Sequence, residues 1–233
     1  MRGYAIRRWS AVGAALVLGL ALTACQGETM TAFDATAYVQ GVLDETYKGT
    51  WDNAFLDLVD LTDGEAQDAY EASLNEEYQR FAYQFDLNDS LLTEETRQSA
   101  LDLLAEVSAK AQYTVQQAVA LDDTRYAVEV SVRPMDLFIQ VREDALADFQ
   151  TQFAEQYAGV DLDDLSAEER TSLETEYENA WANGIVELCR SRLGLLNYQD
   201  VESILVLVAP DDDGLYTMGD NDFSNLSALI LPY

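Results

Sequence analysis

The residues able to do chemistry in this 233-residue chain are mostly carboxylates: 43 Asp and Glu, no histidine, and two cysteines, Cys25 and Cys189. The missing histidine excludes histidine triads, histidine general bases and histidine-liganded zinc. No nucleophile elbow, phosphate-cradling loop or dinucleotide fingerprint is present. Paired carboxylates could still hydrolyse a glycosidic bond. So many acids create such pairs by chance, so they point only weakly to catalysis. The densest group lies in "PDDDGLYTMGDND", where Asp211, Asp213, Asp220 and Asp222 are hard oxygen ligands of the kind calcium takes. Their spacing is not that of an EF-hand, and no acid stands at the closing position. Asp-Gly is also what a tight hairpin turn requires, and the turn is the preferred reading. Calcium is therefore a minor candidate, and no other cofactor is indicated.

Cys25 stands at the end of the run "AVGAALVLGLALTA", residues 11–24. Arg2, Arg7 and Arg8 precede that run, and no acid occurs before Cys25. The run is short for a bilayer span, which needs about 20 apolar residues. A basic start, a short apolar core and small residues at its end predict a secretory signal over residues 1–24. Leu22-Thr23-Ala24-Cys25 resembles a bacterial lipobox. That resemblance implies lipid transfer to the Cys25 sulfur, cleavage before Cys25, and acyl chains (palmitate among them) holding the mature chain to a membrane. A thiol suits the role because its thiolate is a strong nucleophile. Two acyl chains anchor stably, at about 0.8 kcal/mol per buried methylene. Gln26 follows, not Asp, so no inner-membrane retention cue is present. Residues 25–32 read as a short tether. The expected location is the extracytoplasmic face of the cell membrane.

The charge of the rest limits its partners. The whole chain carries 13 basic residues and a net charge of −30; loss of Arg2, Arg7 and Arg8 with the signal leaves −33. Nucleic acid is excluded as a partner, because its binding is driven by cationic contacts to phosphate. Favoured partners are an unidentified protein, peptide or other cationic ligand. Most of the acids are spread along the chain, as on solvated helix faces. With 48% hydrophobic residues and three Pro, the chain is not composed like a disordered one. Once Cys25 is lipidated, Cys189 has no disulfide partner; within "GIVELCRSRL" it reads as a small buried hydrophobe.

The elements that must position these groups follow from hydrophobic period. Val39, Val42, Leu43 and Tyr47 predict a first helix stopped by Gly49. A second repeats Trp51, Phe55, Leu58 and Val59. A third starts at Thr62 and Glu65, spaced as a capping box, and carries Tyr70, Leu74, Tyr78, Phe81 and Phe85. A fourth starts at Thr93, with the stripe Ala100, Leu103, Leu104, Val107 and Ala111. The period then drops to two. "YTVQQAVALDDTRYAVEVSVRP" reads as a hairpin turning at Asp122-Asp123, with Tyr126, Val128, Val130 and Val132 on its buried face. After Asp136 one helix is predicted through Phe138, Val141, Ala145, Phe149 and Phe153. Ser166 and Glu169 start another, with the stripe Leu173, Tyr177, Ala180, Trp181, Gly184, Ile185 and Leu188 and a stop at Gly194. "VESILVLVAPDDDGLYTMGD" reads as a second hairpin, whose nearly all-apolar first strand belongs in the middle of a sheet. The tail "LSALILPY" is expected to dock on the body. The aromatics, 13 Tyr and 3 Trp among them, lie mostly on these stripes, which favours core packing over a ligand groove.

The predicted fold is α+β: helices on one face of a mainly four-stranded antiparallel sheet, forming a single domain over residues 33–233. The order helices, hairpin, helices, hairpin suggests an old duplication with halves 33–134 and 136–220. "YVQGVLDETYKG" followed by "LTDGEAQDAYEASL" resembles uncharacterised acidic surface lipoproteins of anaerobic Gram-positive bacteria, which carry domains of unknown function. This resemblance rests on packing and capping residues and implies location more than activity. The first expectation is a non-catalytic, surface-anchored interaction module. The alternatives are a carboxylate-dependent hydrolase of cell-envelope material and a structural envelope protein.

Overall fold

Side-chain caps start most of the long helices. The computed structural model describes residues 30–160, 165–212 and 214–233; the lipobox and Cys25 lie outside them. Thr31 caps α1 (Ala32–Lys48), Asp52 caps α2 (Asn53–Val59), Thr62 caps α3 (Asp63–Gln84) and Thr93 caps α4 (Glu94–Ser108). Each cap's side-chain oxygen accepts from a backbone N–H that the first helical turn leaves unbonded. Thr62 with Glu65 forms the expected capping box; Thr31 with Asp34 forms another. Met30 is already buried, so packing begins within the stretch read as tether. Gly49 closes α1 at φ +59°, a conformation that costs glycine little.

The strands follow. β1 (Gln112–Val115) and β2 (Val119–Ala120) both pair antiparallel with β3 (Tyr126–Arg133). The expected single first strand is interrupted because the N–H of Ala118 leaves the ladder to donate to Thr36 Oγ1 on α1, at 2.9 Å. Next come α5 (Leu137–Asp144) and α6 (Leu146–Tyr157), where one helix was predicted. The chain breaks at Ala145, whose φ and ψ of −133° and −29° are not helical. The break serves two clusters. Phe138 on α5 packs with Phe81, Phe85 and Tyr233, whereas Phe149 and Phe153 on α6 meet Trp181 on α7 (Ala167–Arg192).

At 26 residues α7 is about 39 Å long. Ser166 and Glu169 cap it as expected. Its buried residues are Ala182, Ile185, Val186 and Cys189, all in its C-terminal half; of the predicted stripe only Ile185 is among them. The N-terminal half rests its aromatic side chains on α6 and hydrogen-bonds through Asn179 to Leu91 and Thr93, and Tyr177 stays 37% exposed. Gly194 falls inside a 3-10 turn, Leu193–Leu195, and not at a left-handed stop. Cys189 is fully buried, as its setting predicted, and burial pushes its thiol up to about 12.

β4 (Glu202–Pro210) pairs with β3 and with β5 (Tyr216–Met218), and α8 (Asp220–Ile230) ends the chain's regular structure. The helical α8 replaces what was read as the end of a hairpin and a docking tail; its Leu226 and Ile230 do dock in the core. The main path of the sheet is β1-β3-β4-β5, with β2 beside β3. The fold is α+β as expected. Tyr126, Val128, Val130 and Val132 of β3 line its inner face with Val206 and Val208 of β4, and all six are buried. Helix α1 packs against that face. Gly41 of α1 permits close contact with α2: a Cβ there would lie 2.0 Å from the Phe55 ring.

Candidate functional site

Two of the four acids that the sequence offered for calcium, Asp211 and Asp222, hold local structure. Asp211 closes the β4–β5 turn: its Oδ1 accepts from the N–H of Leu215 at 2.9 Å, and its carbonyl accepts from Gly214 at 3.0 Å. Gly214 has φ +81° there. Asp222 reaches from α8 to the sheet, its Oδ2 accepting from the N–H of Leu207 at 2.8 Å. Asp220 is exposed in the first turn of α8, where negative charge faces the positive end of the helix dipole. Asp213 lies outside the described residues. Among the described residues no three or more acids and thiols converge on a point that would hold a metal ion.

A cleft of about 280 Å³ between α1, α3 and α8 is where a carboxylate pair comes closest to being a site. Glu76 and Glu77 both line it, and burial raises both carboxyls above the usual range. Glu77 is committed, however. Its Oε1 accepts from the Tyr233 hydroxyl, and its Oε2 lies 3.5 Å from Arg80 Nη2. Arg80 in turn donates to the carbonyl of Leu231 at 2.8 Å and sits over the Tyr233 ring. These contacts tie the C-terminal residues to α3, and proton transfer through Glu77 would have to break them.

A second perturbed carboxyl lies on α1. Glu45 is only 2% exposed; the Thr46 hydroxyl lies 3.4 Å from its Oε2, and its Oε1 has no hydrogen-bond partner. Burial pushes it up to about 7. Its neighbour Asp44 has the opposite fate. Burial works against its charge, but hydrogen bonds from Lys48, Tyr113 and Gln40, each 2.7 Å, outweigh that and hold it below the usual range.

The outer face of the sheet carries the signal that composition hid. Cross-strand register places Val119 beside Ala127, Ala127 beside Leu207, and Glu129 beside Leu205. All five point away from the helices. Leu205 is 66% exposed, Val119 64% and Leu207 37%. Asp122, Asp123 and Glu129 are exposed on or around this patch, and Arg133 faces outward at the far end of β3. Arg125, on the same rim, is neutralised by Asp122 at 2.6 Å. The apolar run of β4 had placed it centrally in the sheet, which is correct, but the run does not mean that both faces are covered. Alternate residues in register with an exposed strand were the available clue.

No family model matches the chain, and no curated protein matches it. Among solved structures, a candidate lipoprotein, ycdA, from Bacillus subtilis is similar, with TM-score 0.53 and 12% identity. The match covers 86% of this chain and 56% of that one, so this chain spans little more than half of its length. At that identity the likeness concerns the fold: helices against one face of an antiparallel sheet. The described helices include none long and apolar enough to cross a membrane.

Proposed function

We propose that this chain is a lipid-anchored protein of the outer face of a bacterial cell membrane, a non-catalytic module that docks a basic protein partner on the open face of its sheet. One observation carries the docking: Val119, Leu205 and Leu207 form an exposed apolar centre with acids around it. Single exposed apolar residues are ordinary, but several grouped on one open face mark an interaction surface. The acid rim and the net charge of −30 select a partner with basic residues around an apolar patch, and disfavour a second copy of this chain. The anchor rests on the lipobox resemblance at Cys25, and the fold of a candidate lipoprotein supports it. The carboxylate-hydrolase alternative has the Glu76–Glu77 cleft in its favour, but Glu77 is held by Tyr233 and Arg80.

Two measurements separate the parts of this proposal. In cells fed an alkyne fatty acid, the wild type is labelled and runs at the mass of the chain cleaved before Cys25, whereas Cys25→Ser is not labelled; equal labelling of the two would remove the anchor. A photo-crosslinker placed at position 205 on intact cells captures a basic protein that one at Asp57, on α2, does not. Equal capture from both positions, or capture of an acidic protein, would remove the docking surface.

A further inference from the structure

A groove of about 340 Å³ lies where α6 and α7 meet the end of α3. Three of its walls are aromatic. Tyr177 and Trp181 stand one helical turn apart on α7, and both meet Phe153 of α6 steeply, at 69° and 66° with centroids 5.0 and 5.2 Å away. Trp181 is fixed by its indole N–H, which donates to the carbonyl of Phe85 at 2.9 Å. The acids in the lining are Asp86 and Glu178, and no basic residue lines it. The Glu178 carboxylate has one weak partner, the N–H of Asn88 at 3.4 Å. The Asp86 carboxylate has none among the described residues.

Asp86 is also in a costly place. It has φ +55°, and the N–H of Leu87 closes back on the carbonyl of Ala82 at 2.8 Å, which makes Asp86 the left-handed residue that ends α3. Glycine or asparagine fits that position at less cost. A carboxylate there faces the negative end of the helix dipole, which disfavours it. Asp60 ends α2 in the same conformation, so the geometry alone says little. What distinguishes Asp86 is that its carboxylate lies in an aromatic-walled groove with no cation to answer it. Aromatic faces attract cations, most strongly those whose alkyl groups also gain from leaving water. A bare metal ion would gain little from such walls. We propose that this groove binds an alkylated ammonium group, with Phe153, Tyr177 and Trp181 around its alkyl groups and Asp86 and Glu178 balancing its charge.

The test titrates choline into the full mature chain with Trp51→Phe, so that Trp181 is its one tryptophan, excited selectively above the tyrosine absorption. The neutral isostere 3,3-dimethylbutanol and sodium chloride at equal ionic strength are run alongside. Saturable quenching by choline, at least ten-fold tighter than by the isostere and absent with sodium, is expected. Asp86→Asn keeps a residue suited to the left-handed turn and should weaken choline at least five-fold. Tyr177→Leu should weaken it similarly while leaving the melting temperature within a few degrees. Equal binding of choline and its isostere, an Asp86→Asn variant that binds choline as the wild type does, or no saturation below about 10 mM choline would each overturn the proposal. Because this groove is not the open sheet face, the result is independent of the docking proposal.

Discussion

The two faces of the sheet are built from the same strands and follow different rules. Along β3 the sequence alternates cleanly: Tyr126, Val128, Val130 and Val132 face the helices and are buried, while Ala127, Glu129, Ser131 and Arg133 face outward. Along β4 the inner residues are again apolar, Ile204, Val206 and Val208, but Leu205 and Leu207 on the outside are apolar too. Burial within the chain accounts for the inner set. It does not account for the outer set, whose exposure is a liability for solubility. The difference teaches that a strand can look fully buried in sequence when only one of its faces is covered by its own chain. The other face then points to a partner.

The largest expected effect lies on the inner face. Val130 is fully buried in the middle of β3, opposite Ile204. Val130→Asp would place a carboxylate there without a partner, at a cost above about 4 kcal/mol. Circular dichroism should show a chain that is unfolded or melts at least about 10 °C lower. A variant that melts with the wild type would mean that the inner face is not closed.

Glu45 gives a second, slightly smaller contrast. It lies in the helix that covers the inner face, whereas Glu129 is exposed on the outer one. A carboxyl at about 7 in the folded state, against 4.5 as its ordinary value, binds its proton more tightly when folded. Stability therefore falls as pH rises from about 4.5 to 7, by about 3 kcal/mol at most. Glu45→Gln lacks that titration. Its stability in urea should gain on the wild type by this amount between pH 4.5 and 8. If Glu45→Gln runs parallel to the wild type over this range, Glu45 is hydrated in solution.

Close packing on the covered side supplies a third contrast. In Gly41→Ala the new methyl group would meet the Phe55 ring at 2.0 Å, so α1 and α2 must separate or the ring must turn. Overpacking of that kind costs about 1–3 kcal/mol. A thermal melt unchanged within 1 °C would show that the α1–α2 contact is looser than the geometry gives.

What the sequence made legible follows the same division. The capping boxes at Thr62 and Ser166, the alternation of β3 and the fully buried Cys189 are local signals, and each is in place. The break at Ala145 was not legible, because Phe138, Val141, Ala145, Phe149 and Phe153 keep helical spacing straight through it. Only the separate clusters around Phe81 and Trp181 reveal why the helix bends. The burial of α7 was misread for a related reason. Tyr177 and Trp181 are apolar enough to predict a core stripe, but they pack on α6 and line a groove. Asp86 gave no signal as a site residue, since its role depends on a turn and on two helices far away in sequence. The acids at 211–222 gave a signal of the right chemistry, but Asp211 closes the turn and Asp222 bonds the sheet.

The smallest effect on stability carries the most weight for function. Leu205 and Leu207 sit on the open face, opposite Glu129 and Ala127. Replacing both with Thr introduces β-branched residues, which suit a strand, and leaves the inner core untouched, so stability should change by no more than about 0.5 kcal/mol. A loss above about 2 kcal/mol would mean that these side chains already support the fold, and the two faces would not differ as argued. With stability retained, the partner captured through position 119 on the same face should fall at least five-fold, because Leu205 and Leu207 supply most of the exposed apolar centre. Glu129→Lys, at the edge of that centre, should instead slow association with a basic partner and make it less sensitive to salt, since rim charges act mainly on encounter. Capture that survives the double Thr variant but falls with Glu129→Lys would shift the weight of recognition from the apolar centre to the acids around it.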